Sequence, residues 1–153
     1  MEGRIFAHIP HDDKKKQEIL IYGYATRGIP GFDIVGPPMW SRPLKGKLIF
    51  LTRFLNLRLP ARRYVVGLDH FDFHNKKNLE HFRYAELSTL ILYWWMGGVF
   101  KLKNPENIHA SGSVSVSGEI YVKEFALKNK SVVTQIDPEI FFMEFKALRI
   151  TRG

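Results

Sequence analysis

The spacing of apolar residues changes character several times along this chain, and those changes limit the fold more than any single motif does. Glu18–Thr26 (EILIYGYAT) crowds β-branched and aromatic residues into a short run, the mark of a strand, and Arg4–Ile9 reads as its partner. Leu44, Leu48, Leu51 and Leu55 then recur at helical spacing, with Lys45, Lys47, Thr52, Arg53 and Asn56 between them. Tyr64–Leu68 returns to strand character. After it, Leu87, Leu90, Ile91, Trp94 and Trp95 mark one face of a second helix, with Arg83, Glu86 and Thr89 opposite. Gly112–Phe125 reads as a hairpin turning at Ser117–Gly118. Strands and helices in this mixed order imply an α+β fold: a mixed β-sheet with helices mainly on one face. A chain of 153 residues has room for a single domain, 1–153.

Local punctuation sets the expected boundaries. Pro10–Lys16 is polar and turn-like. Gly28 and Pro30 end the second strand, so a tight turn should lead into a third strand near Phe32–Val35, antiparallel to the second. Pro37–Pro38 stops that strand, Ser41 suits an N-cap, Pro43 sits in the first helical turn and Pro60 closes the helix. Gly46 weakens that helix by ~1 kcal/mol relative to alanine. Residues 69–79 form a polar loop, Asn78 suits the cap of the second helix and Gly97–Gly98 its end. Ser131–Ile136 is a further candidate strand. Asp137 caps a last helix through Arg149, with Pro138 at its first position.

The absence of cysteine excludes a disulfide framework, thiol catalysis and thiolate metal sites together. A net charge of +8 favours encounters with polyanions, although a solvated surface that leans basic explains the same number. The candidate nucleic-acid surface comprises Lys14, Lys15, Lys16, Arg62, Arg63, Lys76 and Lys77. Trp40 beside Arg42, and Phe73 beside His74 and Lys76, are candidate stacking platforms. His70, Asp72 and His74 alternate in a stretch that would turn all three to one side of a strand, a weak candidate metal site. His8 and His11 are expected at the surface. Trp94–Trp95–Met96 and Phe141–Phe142–Met143 place apolar area on two helices, for which core packing is the expectation and a protein interface the alternative. No G-x-x-x-x-G-K-[ST] phosphate loop occurs, and no cofactor is implied. No signal-peptide core or membrane span is read in the sequence, and a cytoplasmic placement is expected.

Three segments resemble the N-terminal domain of the magnesium chelatase subunit I-like/ComM family. Arg27–Gly36 (RGIPGFDIVG) is close to that family's R-G-L-P-x-F-x-I-V-G, Pro60–Leu68 (PARRYVVGL) to P-x-R-R-I-x-V-N-L, and Gly112–Ile120 (GSVSVSGEI) to G-E-L-S-L-D-G-E-L. Order and spacing agree over roughly residues 18–122. The resemblance implies the fold shared by Lon-type protease domains and the second domain of a small-subunit ribosomal protein. It also implies chiefly structural roles for Gly28, Gly31 and Gly36, through positive φ or close backbone approach, and for Phe32, Ile34 and Val35 in a core strand. The family's second helix follows a K-x-G-S-x-F-D-L-like loop. Here Lys76–Tyr84 has no glycine, and Arg83 stands near the expected aspartate.

A Lon-like peptidase needs a serine activated by a lysine. The position before the second helix offers Lys77, Asn78 and Leu79, while Ser88 falls inside the helix on an expected surface. Lys123 or Lys128 could supply only the amine. The expected function is therefore a non-catalytic accessory or interaction domain, similar to the amino-terminal part of ComM-like AAA+ proteins in DNA uptake and recombination. Protein partners or self-association follow from that expectation. A nucleic-acid-binding module is the alternative, and a cryptic hydrolase or metal enzyme the third reading.

Overall fold

Burial decides the order of the strands. Tyr64–Leu68 is buried at every position, whereas Gly31–Val35 is only partly buried and leaves Val35 half exposed. A strand shielded on both faces belongs inside a sheet, and a half-covered one at its edge. In the computed structural model, which describes residues 1–12, 15–69, 80–99, 106, 110–122 and 149–152, the two take those places.

Strand β1 (Glu2–Asp12) pairs antiparallel with β2 (Lys15–Thr26), and β2 pairs antiparallel with β4 (Arg63–Asp69). Strand β3 (Gly31–Val35) runs parallel to β4 on the far side, so the order is β1-β2-β4-β3, a mixed sheet. The expected antiparallel pairing of the second and third strands is thereby corrected: β4 inserts between them. The expected turn at Pro10–Lys16 is corrected as well, because the strands continue to Asp12 and resume at Lys15. An edge strand with an irregularity between Pro10 and Asp12 accommodates the proline.

Register places Ile5, Ile21 and Leu68 in one row across β1, β2 and β4, and Ala25, Tyr64 and Phe32 in another across β2, β4 and β3. These residues join both helices in one core cluster, so the helices cover a single face of the sheet. Helix α1 (Pro38–Phe54) crosses from β3 to β4 and buries Trp40, Leu44, Leu48 and Leu51. Helix α2 (Glu86–Met96), continuous with a 3-10 turn at His81–Ala85, is buried along its whole length. It lies so close to β2 that a side chain at Gly23 would meet Leu92 and Met96 at 2.9 Å. None of the described helices is long and apolar enough to cross a membrane.

The three glycines of the Arg27–Gly36 motif sit in different surroundings. Gly28 takes φ of 147°, Gly36 lies under the Trp40 ring, and Gly31 abuts the Arg63 guanidinium. In the same motif Phe32 is buried and Ile34 partly buried, but Val35 is half exposed and is no core residue.

The ends of α1 differ from expectation. Proline at the first helical position is favourable, because its missing N–H has no intrahelical partner to lose. The helix accordingly starts at Pro38, where the Pro37 carbonyl accepts from Trp40 and Ser41 N–H at 2.9 and 2.8 Å. Ser41 is a buried helical residue, not the cap. Termination falls at Asn56, four residues before Pro60. Asn56 adopts φ of 56°, Leu57 N–H reaches the Thr52 carbonyl and Asn56 N–H the Arg53 carbonyl, both at 3.0 Å. That pair of bonds is a Schellman closure with asparagine in the left-handed position.

A second sheet comprises β5 (Gly112–Val114) antiparallel to β6 (Glu119–Val122), with β7 (Arg149–Arg152) parallel to β6. The expected hairpin is present, with Gly118 at φ of 84° in its turn. The expected last helix cannot extend through Arg149, which begins β7. Residues 137–148, 131–136 and 78 lie outside the described residues. The chain just before β5 guards the edge of β1: Ala110 N–H donates to the Phe6 carbonyl at 2.9 Å, and His8 N–H to Ser111 Oγ at 2.8 Å. His8 is thus 4% exposed, against the expectation of a surface residue.

Replacing Asn56 tests the helix stop. Asn56→Ala should cost about 1 kcal/mol in urea unfolding, while Asn56→Gly should match or exceed the parent, because glycine has no Cβ to strain at this φ and asparagine tolerates it better than alanine.

Candidate functional site

Where α1 ends and β3 and β4 begin, the chain leaves an open groove of about 400 Å³. Its walls are Pro30 and the start of β3 at Gly31 and Phe32, Ile49, Thr52 and Arg53 from α1, and Leu57, Leu59 and Pro60–Arg62. Tyr64 from β4 and Tyr93 from α2 complete the lining. The Tyr93 ring stacks on Phe32 at 3.9 Å between centroids, and Tyr64 meets it edge-on at 5.6 Å. Tyr64 Oη donates to the Pro60 carbonyl at 2.8 Å, which ties the 57–62 segment to the sheet.

Electrostatics give the groove one sign. Arg53 and Arg62 line it, are exposed, and face no carboxylate within 4 Å among the described residues. Arg63, next in the chain, is held by Asp33, which Lys45 also reaches at 3.0 Å. The Lys45 hydrogen bond is the main cause that lowers the Asp33 carboxyl below its ordinary pKa, with the Arg63 charge adding to it and partial burial opposing. Burial pushes the Tyr93 phenol up to about 12, reinforced by Tyr64 and opposed by Arg53. Burial raises Tyr64 likewise, against the pull of Arg62. Both phenols therefore remain protonated donors at neutral pH.

Two parts of the expected basic surface lie at opposite ends of one strand. Thr26 pairs with Arg63 at one end of β2, whereas Lys15 and Lys16 begin β2 at the other. Eleven residues of strand separate them by about 35 Å. Only Arg62 and Arg63 of the seven basic candidates have described side chains, and Arg63 is ion-paired. Lys14, Lys76 and Lys77 lie outside the described residues, as do His70, Asp72 and His74. Among the described residues no three His, Asp or Glu side chains gather in a metal-binding group. Trp40 is no stacking platform: it is in the core, with Nε1 donating to the Phe82 carbonyl at 3.1 Å. Trp94, Trp95 and Met96 are core residues too.

Ser88 is fully buried rather than on a surface. Its Oγ sits 3.1 Å from the Phe6 carbonyl and also bonds the Ala110 carbonyl, so the hydroxyl fastens β1 and the 110–111 segment to α2. Glu86 and Thr89, expected on a polar face, are buried as well. Glu86 receives Lys47 Nζ at 3.0 and 3.1 Å and Val114 N–H at 3.0 Å, and Thr89 Oγ1 donates to the Ala85 carbonyl at 2.9 Å.

Sequence reasoning missed Tyr93, Tyr64 and Arg53 as groove residues. The available signals were one phenol inside the apolar run Leu90–Met96 and two arginines beside Tyr64 after a proline. No protein-family model matches the chain, and no curated protein matches its sequence.

The Asp33 ion pairs carry a pH signature. A carboxyl whose pKa is lower folded than unfolded adds stability above its unfolded value and loses it as pH falls through the folded one. Asp33→Asn should therefore lower stability at pH 7 by less than about 1 kcal/mol, given its exposure. Urea unfolding between about pH 3 and 7 should show a shallower acid decline in the variant than in the parent.

Proposed function

We propose that this chain is a non-catalytic interaction domain that docks on a protein through the outer face of α1. The observation that carries this reading is an apolar stripe directed to solvent. Met39, Phe50 and Phe54 are 77%, 53% and 63% exposed, and Phe50 stacks against Phe54. With Pro43 and Gly46 they fall within about 80° of the helical circumference. The core residues Trp40, Leu44, Leu48 and Leu51 occupy the other side of the same helix.

Large exposed apolar groups clustered on one helix face fit an interface better than an open surface. Arg42 and Arg53 flank the stripe, and the chain carries a net charge of +8. A second copy would bring like charge to the contact, so the favoured partner is a protein with an apolar centre and an acidic rim. The resemblance to the N-terminal domain of ComM-like AAA+ proteins supports the same reading. Such domains accompany a larger ATPase assembly, which suggests a role in DNA uptake and recombination.

The test pairs capture with reconstitution from purified components. Phe50→Lys combined with Phe54→Lys should leave unfolding stability within about 0.5 kcal/mol, because both side chains are exposed. It should weaken a reconstituted partner by at least about tenfold. Arg62→Ala should leave that partner's affinity nearly unchanged. Partner binding indifferent to the lysine pair counts against the reading. So does salt-sensitive retention on DNA that Arg62→Ala removes, which would favour a nucleic-acid module.

A further inference from the structure

A phenol that buries its ring but bonds nothing marks the groove between α1, β3 and β4. Tyr93 is 7% exposed, lines the groove, and has no hydrogen-bond partner for its hydroxyl among the described residues. The ring is shielded while the hydroxyl stays open to the groove, where water or a ligand can accept from it. Neither neighbouring hydroxyl bonds it: Tyr64 Oη donates to the Pro60 carbonyl, and Thr52 Oγ1 donates to the Leu48 carbonyl while accepting from Trp94 Nε1.

The surroundings define what would fit. The stacked Phe32 and Tyr93 rings with the Tyr64 edge give a flat apolar floor. Arg53 and Arg62 supply two positive charges with no carboxylate opposite them among the described residues, and the Asp33 carboxylate is held by Lys45 and Arg63. A space of about 400 Å³ falls in the range of pockets that take small organic molecules.

We propose that this groove binds a small organic anion, with a flat or apolar body against the Phe32, Tyr64 and Tyr93 rings and a carboxylate or phosphate flanked by Arg53 and Arg62 and accepting from Tyr93 Oη. This site shares Arg53 with the rim of the exposed α1 stripe but uses none of the stripe's apolar residues. It needs neither partner protein nor catalysis, so its test stands apart from that of the docking face.

Calorimetric titration of the full chain with phenyl phosphate, phenylacetate and uncharged phenylacetamide examines the claim. At least one anion should bind, and the amide should bind about tenfold or more weakly, because it lacks the charge the arginines recognise. The stronger of the two anions identifies the preferred headgroup. Tyr93→Phe, which keeps the ring and removes the hydroxyl, should weaken that anion about tenfold, the usual effect of a hydrogen bond to a charged group. Arg53→Gln with Arg62→Gln, both at exposed positions, should abolish the preference for anion over amide. These surface variants carry the test if Tyr93→Phe alters the thermal midpoint. Equal binding of amide and anion, unchanged affinity in the arginine pair, or no heat from either anion at ~10 mM would overturn the proposal.

Discussion

The Glu86 carboxylate is the point at which three distant segments are held together. It stands at the start of α2 with its side chain 10% exposed, and it takes the Lys47 ammonium of α1 and the Val114 N–H of β5. A charge so shielded is tolerable only when its oxygens are satisfied, because its lost hydration is not otherwise replaced. The side chain therefore fixes which face of α2 points at α1 and how closely β5 approaches. Once that is set, Trp94 Nε1 meets Thr52 Oγ1 at 3.0 Å, and Tyr93 comes to lie on Phe32.

The rest of the architecture follows from the cover these helices give the sheet. Gly23 leaves room for Leu92 and Met96, so α2 can settle on β2. Ser88 on the same helix fastens the β1 backbone and the 110–111 segment. With α2 held against the sheet, α1 is left with two sides. Its leucines face the core, and Met39, Phe50 and Phe54 face outward. The groove opens where the Schellman turn at Asn56 lifts the chain away from α1, before Arg63 re-enters the sheet. Both proposed surfaces are thus consequences of how α1 starts, faces and stops.

Much of this was legible in the residues. Apolar spacing located the main strands and both helices to within a few positions, and it indicated a mixed α+β arrangement covered on one face. The errors have physical causes. Strands β2 and β3 are neighbours in the chain, which suggested a hairpin. The unbroken apolar run of Tyr64–Leu68, set against the Asp33 interruption in β3, was the better guide to which strand is central. Pro38 at the first helical position was a stronger start signal than Ser41. Glu86, Ser88 and Thr89 looked like a solvent face because local periodicity cannot show that partners arrive from Lys47, Phe6, Ala110 and Val114. The groove was hidden for a related reason. Its residues come from β3, α1, β4 and α2, and no short motif spans them.

The most direct measurement is a double-mutant cycle on Glu86 and Lys47 by urea unfolding. Glu86→Gln and Lys47→Met should each destabilise the chain by about 3 kcal/mol, since the first leaves the Lys47 ammonium, and the second the Glu86 carboxylate, without its counter-charge. The double variant should cost less than the sum of the singles, with a coupling of roughly 1–3 kcal/mol. Single variants within about 0.5 kcal/mol of the parent, or strictly additive effects, would contradict the view that this contact sets the helices on the sheet.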